Sequence, residues 1–167
     1  APEDPHLAGS RIYYFREVAN ERVIPFTETI LYQDEHLLVV DKPHFLPVIP
    51  SGTYVTQTLL SRLMARLGNS ELQPLHRIDR HTAGLVLFSV QKRSRARYQA
   101  LFREQQIEKR YEALASPLPQ LTFPHIRSSR IERGERFFLS QEVPGCVNAQ
   151  SRIEVLERRD ELWRYEL

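Results

Sequence analysis

Short turns between neighbouring β-prone segments constrain the fold of this chain more than any other feature of its sequence. Segments 29–32 and 37–40 are separated only by residues 33–36, Gln-Asp-Glu-His. Segments 151–156 and 162–167 form a similar pair near the end of the sequence. Such short connections join antiparallel strands, because a parallel crossover needs about a dozen residues or more. The sequence therefore excludes a doubly wound parallel sheet.

Apolar residues recur at helical spacing in two places. The first is 55–67, and Gly68 and Asn69 are predicted to end that helix. A strand is expected at 85–90, and Ser94 is predicted to be the N-cap of a second helix. Three side chains of that helix are predicted to face inward: Tyr98, Leu101 and Phe102. We therefore predict one domain with a mixed α/β or α+β fold.

The region after the second helix combines one strand and a long loop. Residues 109–115 alternate like a strand, which puts Tyr111 on the same face as Lys109. Residues 116–145 are rich in Pro, Arg and Ser, and they are predicted to form a long loop with a short strand near 136–139. Arginines of this region alternate with glutamates, so an RNA-contacting loop and a salt-bridged loop are both open.

Composition limits the compartment and the kind of site. The single cysteine, Cys146, excludes an intramolecular disulfide and a zinc site built on paired cysteines, which favours a reducing cytoplasm. No apolar run approaches the roughly 20 residues of a membrane span, and residues 1–10 lack a signal-peptide pattern. We therefore predict a cytoplasmic protein without a membrane partner.

The basic residues are almost all arginine. Only Lys42, Lys92 and Lys109 are lysine among the 23 basic residues, which leaves 20 arginines. The planar guanidinium binds phosphate in a bidentate way and stacks on bases, so this bias fits an RNA partner. A solvated, salt-bridged surface explains the same composition equally well.

The segment 76–88, His-Arg-Ile-Asp-Arg-His-Thr-Ala-Gly-Leu-Val-Leu-Phe, sets one carboxylate among cations just before an apolar run. Arg77, Arg80 and a protonated histidine would hold Asp79 ionised at neutral pH, as a carboxylate nucleophile requires. Alternatively, Asp79 is a structural acid paired with Arg77 or Arg80.

Other enzyme classes fit this segment poorly. Protein kinases use a His-Arg-Asp loop, but Ile78 intervenes here and no Gly-rich phosphate loop is present. A glycosidase would need a second acid in a recognisable motif near Asp79, and the scattered histidines show no metal-ligand spacing.

Three segments resemble motifs of the RluA-type pseudouridine synthases. Segment 76–85 is similar to the signature His-Arg-Leu-Asp-x-x-Thr-(Ser/Ala)-Gly-Leu, with Ile78 replacing leucine. Segment 30–43 resembles the first motif, a hairpin leading to a Lys-Pro corner, although Phe45 stands where many relatives have glycine. Segment 109–114 looks like the Lys-x-Tyr motif. The resemblance implies the pseudouridine synthase fold, a mixed and mainly antiparallel sheet flanked by helices and loops.

The resemblance also implies roles for individual residues. Asp79 would be the nucleophile, adding to ribose C1′ or to uracil C6, and Tyr111 would pack against the target base and serve the proton transfer at C5. Arg77 would fill the place that the flipped base leaves in the RNA. Further RNA contacts are predicted for a set of mostly basic residues: Arg80, His76, Lys92, Arg93 and Lys109.

Each role has a simpler alternative. Tyr111 could be a core aromatic residue, and His76 is expected to brace its loop by hydrogen bonding. Lys92 and Arg93 could belong to the solvated face of a helix. The isomerisation requires no metal, cofactor or nucleotide, because it is internal to the substrate.

The resemblance finally implies a domain organisation. Residues 1–27 are predicted to be an N-terminal extension, and 28–167 a catalytic domain lacking its C-terminal part. A further family motif, near Thr-Gly-Arg-x-His-Gln-(Ile/Leu)-Arg, would lie beyond Leu167 and supply a basic partner for Asp79. The expected partner is ribosomal or transfer RNA, and the oligomeric state is undetermined. The alternative function is a non-catalytic RNA-binding module related to the synthases.

Overall fold

The computed structural model describes residues 17–136 and 139–167. The chain divides into two compact units, one extending to Gln106 and the other comprising Ile107–Leu167. Every strand pairing in the described part of the chain is antiparallel, and the first unit adds two helices. The predicted α+β class is confirmed, whereas the boundary at 27/28 stays a prediction.

The first unit contains a four-stranded sheet in the order β1-β2-β4-β3. Its elements are β1 (Thr29–Gln33), β2 (Leu37–Lys42), α1 (Leu59–Leu67), β3 (Gln73–Pro74), β4 (Gly84–Ser89) and α2 (Lys92–Arg103). The predicted hairpin of β1 and β2 is confirmed. Its turn is held by the Asp34 carboxylate, which accepts hydrogen bonds from the backbone N–H groups of His36 and Leu37, both at 2.7 Å. The pairing shifts register between Ile30 and Tyr32, which marks a β-bulge.

The core of the first unit follows the two-residue period of the central strands. Leu38 and Val40 on β2 lie opposite Phe88 and Val86 on β4, and all four side chains are fully buried. Buried leucines of α1 belong to the same cluster. Burying side chains of this size stabilises a fold by about 1.5–3 kcal/mol each. This cluster therefore fixes which faces of β2 and β4 point into the core.

Helix α1 begins at Leu59, later than the apolar spacing predicts. Thr58 is the N-cap, and its hydroxyl accepts from the Ser61 N–H at 3.2 Å. The preceding N–H groups are satisfied outside a helix, because Glu21 accepts hydrogen bonds from residues 55–57 at 2.7–2.9 Å. The helix ends as predicted at Gly68, whose φ of 60° is left-handed.

Helix α2 begins at Lys92, with Gln91 as its N-cap, so the prediction that Ser94 caps it is wrong. The Ser94 hydroxyl instead donates to the Gln91 carbonyl at 3.1 Å, one turn inside the helix. The Lys92 N–H donates to the Glu71 carboxylate at 3.2 Å. A cap supplied from 21 residues away cannot be read from the local sequence.

The second unit contains a five-stranded sheet in the order β5-β9-β8-β6-β7. Its strands are β5 (Glu112–Ala115), β6 (His125–Arg133), β7 (Ser140–Val143), β8 (Ala149–Glu157) and β9 (Trp163–Glu166). The β8–β9 hairpin is confirmed. The long loop predicted for 116–145 is wrong, because β6 and β7 pair there as a second hairpin. The expected strand near 136–139 is replaced by β7, and residues 137–138 lie outside the described residues.

Strands β6 and β7 are joined by polar pairs, which is why apolar alternation in the sequence does not predict them. Arg127 on β6 forms an ion pair with Glu142 on β7 at 2.7 Å. The Asn148 side-chain amide exchanges two hydrogen bonds with the backbone of Ile131, at 2.8 and 2.9 Å. Cross-strand polar pairs stabilise a sheet without an apolar pattern. The sequence left an RNA-contacting and a salt-bridged arrangement of these arginines open. The structure shows salt bridges, from Arg127 to Glu142 and from Arg130 to Glu132.

Candidate functional site

Asp79 lies in the loop that joins β3 to β4. The Thr82 N–H donates to the Asp79 carbonyl at 3.1 Å, which closes a four-residue turn beginning at Asp79. The loop enters β4 through Gly84, whose φ of 123° is strained for any residue with a Cβ. This turn leaves the Asp79 side chain exposed.

The Asp79 loop forms one wall of a cavity of about 350 Å³. The opposite wall is the segment that follows β2. The lining residues are Pro47, Val48, Ile49, Ser51, Arg77, Ile78, Asp79 and Arg80. The volume falls within the range of small-molecule sites, about 300–1,000 Å³. An exposed carboxylate thus faces a space that fits part of a nucleotide.

Lys42, at the end of β2, forms hydrogen bonds to the segment after β2 and to the Asp79 loop. Its side chain is fully buried, and its ammonium group donates to the carbonyls of Pro43 at 3.0 Å, Leu46 at 2.9 Å and Arg80 at 3.4 Å. Burial lowers the pKa of Lys42 to about 8, and the negative charge of Asp79 partly offsets this shift. Lys42 therefore interacts electrostatically with Asp79 and holds the loop that carries Asp79.

Lys42 is a site residue that the sequence analysis missed. Segment 37–42 alternates, so Lys42 falls on the same face as Leu38 and Val40, which are core residues. A lysine continuing an apolar face was the available signal, since unpaired lysines are almost never fully buried.

The two predicted arginine partners do not pair with Asp79. Within residues 17–136 and 139–167, no arginine nitrogen lies within 4.0 Å of the Asp79 carboxylate. Arg80 instead packs over the Tyr54 ring, with its guanidinium carbon 5.9 Å from the ring centroid, and approaches His81 at 3.1 Å. Both Arg77 and Arg80 are exposed, so they face solvent beside the cavity.

His76 braces the loop, as one reading of the sequence expected. Its Nε2 accepts a hydrogen bond from the Leu87 N–H at 3.2 Å. Its ring stacks on Phe102 of α2, with centroids 5.0 Å apart. An RNA contact by His76 stays a prediction.

Lys92 and Arg93 lie at the other end of the sheet. They follow Ser89, while Asp79 precedes Gly84, and strand β4 between these ends is about 17 Å long at the usual rise per residue. Arg93 forms an exposed ion pair with Glu35 at 3.3 Å. The structure therefore does not bring these two basic residues to the Asp79 cavity.

Lys109 and Tyr111 belong to the second unit. The Tyr111 backbone exchanges hydrogen bonds with Leu167 at 2.9 and 2.8 Å, directly before β5. The Tyr111 side chain is 41% exposed, so it is not a core aromatic residue. Together with Lys109 it lines a separate cavity of about 610 Å³. Its contact with a target base stays a prediction.

Within residues 17–136 and 139–167, no group of three or more His, Cys, Asp or Glu side chains is arranged to hold a metal ion. Neither α1 nor α2 is long and apolar enough to cross a membrane.

Two kinds of solved structure resemble this fold. One is human RNA pseudouridylate synthase domain containing 4, with a TM-score of 0.62, 25% identity, and coverage of 82% of this chain and 57% of that one. The other is human RNA pseudouridylate synthase domain containing 1, with a TM-score of 0.64, 18% identity, and coverage of 91% and 61%. The predicted pseudouridine synthase fold is confirmed.

Sequence relatives agree with the structural ones. An uncharacterized RNA pseudouridine synthase of Synechocystis sp. is 34% identical over 162 residues, which are 96% of this chain and 56% of that protein. The dual-specificity RNA pseudouridine synthase RluA of Haemophilus influenzae is 35% identical over 86 residues, 51% of this chain and 38% of that protein. The chain thus spans little more than half the length of the first relative. A family model described as RNA pseudouridylate synthase matches residues 36–167, and the chain therefore belongs to the RluA-type pseudouridine synthase family.

Proposed function

We propose that this chain carries the nucleophile of an RNA pseudouridine synthase, which isomerises uridine to pseudouridine in structured ribosomal or transfer RNA. One observation carries the proposal: Asp79, in the segment that resembles the family signature, presents an exposed carboxylate to a cavity of about 350 Å³. The family membership supports the reaction class, and the residue roles below are part of the proposal.

The surroundings of Asp79 leave its carboxylate free to react as a nucleophile. No ion pair with a described residue occupies its carboxylate. The buried Lys42 ammonium donates to the Arg80 carbonyl at 3.4 Å and so holds the loop that carries Asp79. Arg77 and Arg80 are exposed beside the cavity, where guanidinium groups bind the phosphates of an RNA strand.

Two routes use the same carboxylate. In the first, an Asp79 oxygen forms a bond to ribose C1′, the bond from C1′ to N1 breaks, and its electron pair leaves with the uracil. The uracil then turns, C5 attacks C1′, and the carboxylate departs. In the second route, the carboxylate first adds to uracil C6, and the bond from C1′ to N1 then breaks while the uracil stays attached through C6. The uracil turns, a bond forms between C5 and C1′, and the carboxylate is eliminated from C6. Both routes end with loss of the C5 proton and gain of a proton at N1, so no oxidant, metal or cofactor enters the balance.

The remaining predicted residues have supporting roles. Tyr111 packs against the flipped uracil and serves the proton transfer at C5, and Arg77 fills the vacancy in the RNA. Arg80 contacts the nucleotide backbone beside the Asp79 cavity, and Lys109 makes a further RNA contact. Lys92 and Arg93, beyond the Ser89 end of β4, contact phosphates further along the RNA strand.

Tritium release from RNA labelled at uridine C5 tests the proposal. Bulk cellular RNA lacking the modification is the substrate, and this chain is compared with a chain extended at its C-terminus. We expect release that Asp79→Asn abolishes, because the amide keeps the shape but loses the nucleophile. Asp41→Asn is the matched control, since Asp41 is an exposed carboxylate one residue from Lys42 and outside the cavity lining.

The outcomes separate the two candidate functions. Release that persists in Asp79→Asn refutes Asp79 as the nucleophile. RNA binding without release, in both the chain and its extended form, refutes the enzyme and favours a non-catalytic RNA-binding module.

A further inference from the structure

Phe45 occupies a backbone conformation that bulky side chains avoid. Its φ is 67°, in the left-handed region, which only glycine adopts without strain. The side chain is also 49% exposed, so burial does not account for its retention. A large aromatic residue is therefore held out toward solvent at a position whose backbone favours glycine.

The Phe45 ring is part of an exposed aromatic cluster on the Asp79 turn. Its centroid lies 5.7 Å from that of His81, 5.8 Å from Phe26 and 5.9 Å from His44. His44 also fixes the turn, because its Nδ1 lies 2.6 Å from the His81 carbonyl oxygen. His81 is the third residue of the turn that begins at Asp79. The ring thus contacts the same turn that carries the proposed nucleophile.

We propose that Phe45 stacks on an unpaired nucleobase of the RNA next to the flipped uridine. The inference rests on the proposed function, because it places that base relative to Asp79. Two features favour a base as the occupant. Every base has a π-face that an exposed ring can stack on, and Arg77 and Arg80 of the same loop offer charges complementary to the phosphates that flank a base.

The variants separate the ring from the backbone. Phe45→Leu keeps an apolar side chain of similar size and the same strain, but has no π-face. Phe45→Asn also lacks the ring, yet it tolerates the left-handed backbone. Phe45→Trp keeps an aromatic face. Tyr32→Leu is the matched control, because Tyr32 is 52% exposed and lies beside the β1–β2 turn, away from the Lys42 end of β2.

The experiment measures the affinity of each variant for a stem–loop RNA with 2-aminopurine in the loop, whose fluorescence is quenched by stacking. We expect Phe45→Leu and Phe45→Asn to weaken binding roughly tenfold and to reduce quenching, while Phe45→Trp and Tyr32→Leu bind like the parent chain. Thermal melting accompanies each measurement. Because Leu keeps the backbone strain and Asn relieves it, an equal loss of binding in both identifies the missing ring as the cause.

Several results overturn the inference. One is an RNA affinity of Phe45→Leu equal to that of the parent chain. A second is a loss of affinity in Phe45→Trp as large as in Phe45→Leu. A third is a difference in affinity between Phe45→Asn and Phe45→Leu that follows the difference in their melting temperatures. Tritium release by the parent chain is measured alongside and separates the two failures. RNA binding without release refutes the proposed function, whereas release together with unchanged binding and quenching in Phe45→Leu refutes only the stacking of Phe45.

Discussion

Lys42→Met should remove a pH dependence of stability that the parent chain shows in mildly alkaline solution. In the folded state burial lowers the pKa of Lys42 from its ordinary value of 10.5 to about 8. Between these two values the unfolded chain binds more protons than the folded chain, so the free energy of unfolding rises with pH. Methionine has a similar volume and does not titrate, so this rise disappears.

The size of the effect follows from the two pKa values. A single group with these values stabilises the fold by about 2 kcal/mol more at about pH 9.5 than at about pH 7. The difference between the parent chain and Lys42→Met isolates it, because all other groups titrate in both proteins. The depressed pKa also means that the buried charge destabilises the fold at neutral pH, a cost that the three carbonyl hydrogen bonds partly offset.

Urea unfolding followed by far-UV circular dichroism measures this difference across the pH range. The only tryptophan, Trp163, lies in the second unit, so its fluorescence would not report on Lys42. The ε-carbon resonances of the lysines give the pKa directly, since the chain has only Lys42, Lys92 and Lys109. Parallel stability curves, or a Lys42 resonance that titrates like the other two, would refute the burial argument. Asp79→Asn should lower the Lys42 pKa further, because it removes a favourable charge.

Further predictions concern Glu21 and two glycines. Burial raises the pKa of Glu21, but hydrogen bonds from residues 55–57 outweigh this and lower it to about 2; its contribution is complete above about pH 4.5 and is lost as the pH falls through about 2. Glu21→Gln should therefore cost about 1 kcal/mol at neutral pH and flatten the acid limb of stability, measured by urea unfolding. Gly68→Ala should cost about 1 kcal/mol through its φ of 60° alone, since no atom lies within 4 Å of the added Cβ. Gly145→Ala should lower the melting temperature more than Gly68→Ala, because a φ of 141° is further from the conformations that alanine adopts; the flexible Arg130 side chain can move away from the new Cβ.

The sequence predicts those elements whose signals are local and apolar. The β1–β2 and β8–β9 hairpins and the end of α1 at Gly68 follow from alternation, short turns and a glycine stop. Elements held by distant polar partners are missed. The start of α2 depends on Glu71, and β6 pairs with β7 through Arg127 and Glu142, neither of which leaves a local apolar pattern.

The candidate site also has features that the local sequence predicts and features that it does not. The sequence places Asp79 next to Arg77 and just before the apolar run that forms β4, because these residues are neighbours in the chain. It does not reveal that Arg80 turns to Tyr54 or that Lys42 lies beneath the loop. Those contacts depend on side chains brought together by the pairing of β2 with β4, which is tertiary structure.

The bulge in β1 has a consequence for the behaviour of the protein at high concentration. Among the strands of the described residues, β1 is an edge of its sheet, and it carries two exposed apolar side chains, Leu31 and Tyr32. A regular edge strand of this kind would template pairing with a strand of another molecule and promote aggregation. The register shift between Ile30 and Tyr32 interrupts the row of free N–H and C=O groups, so an incoming strand cannot pair along its whole length.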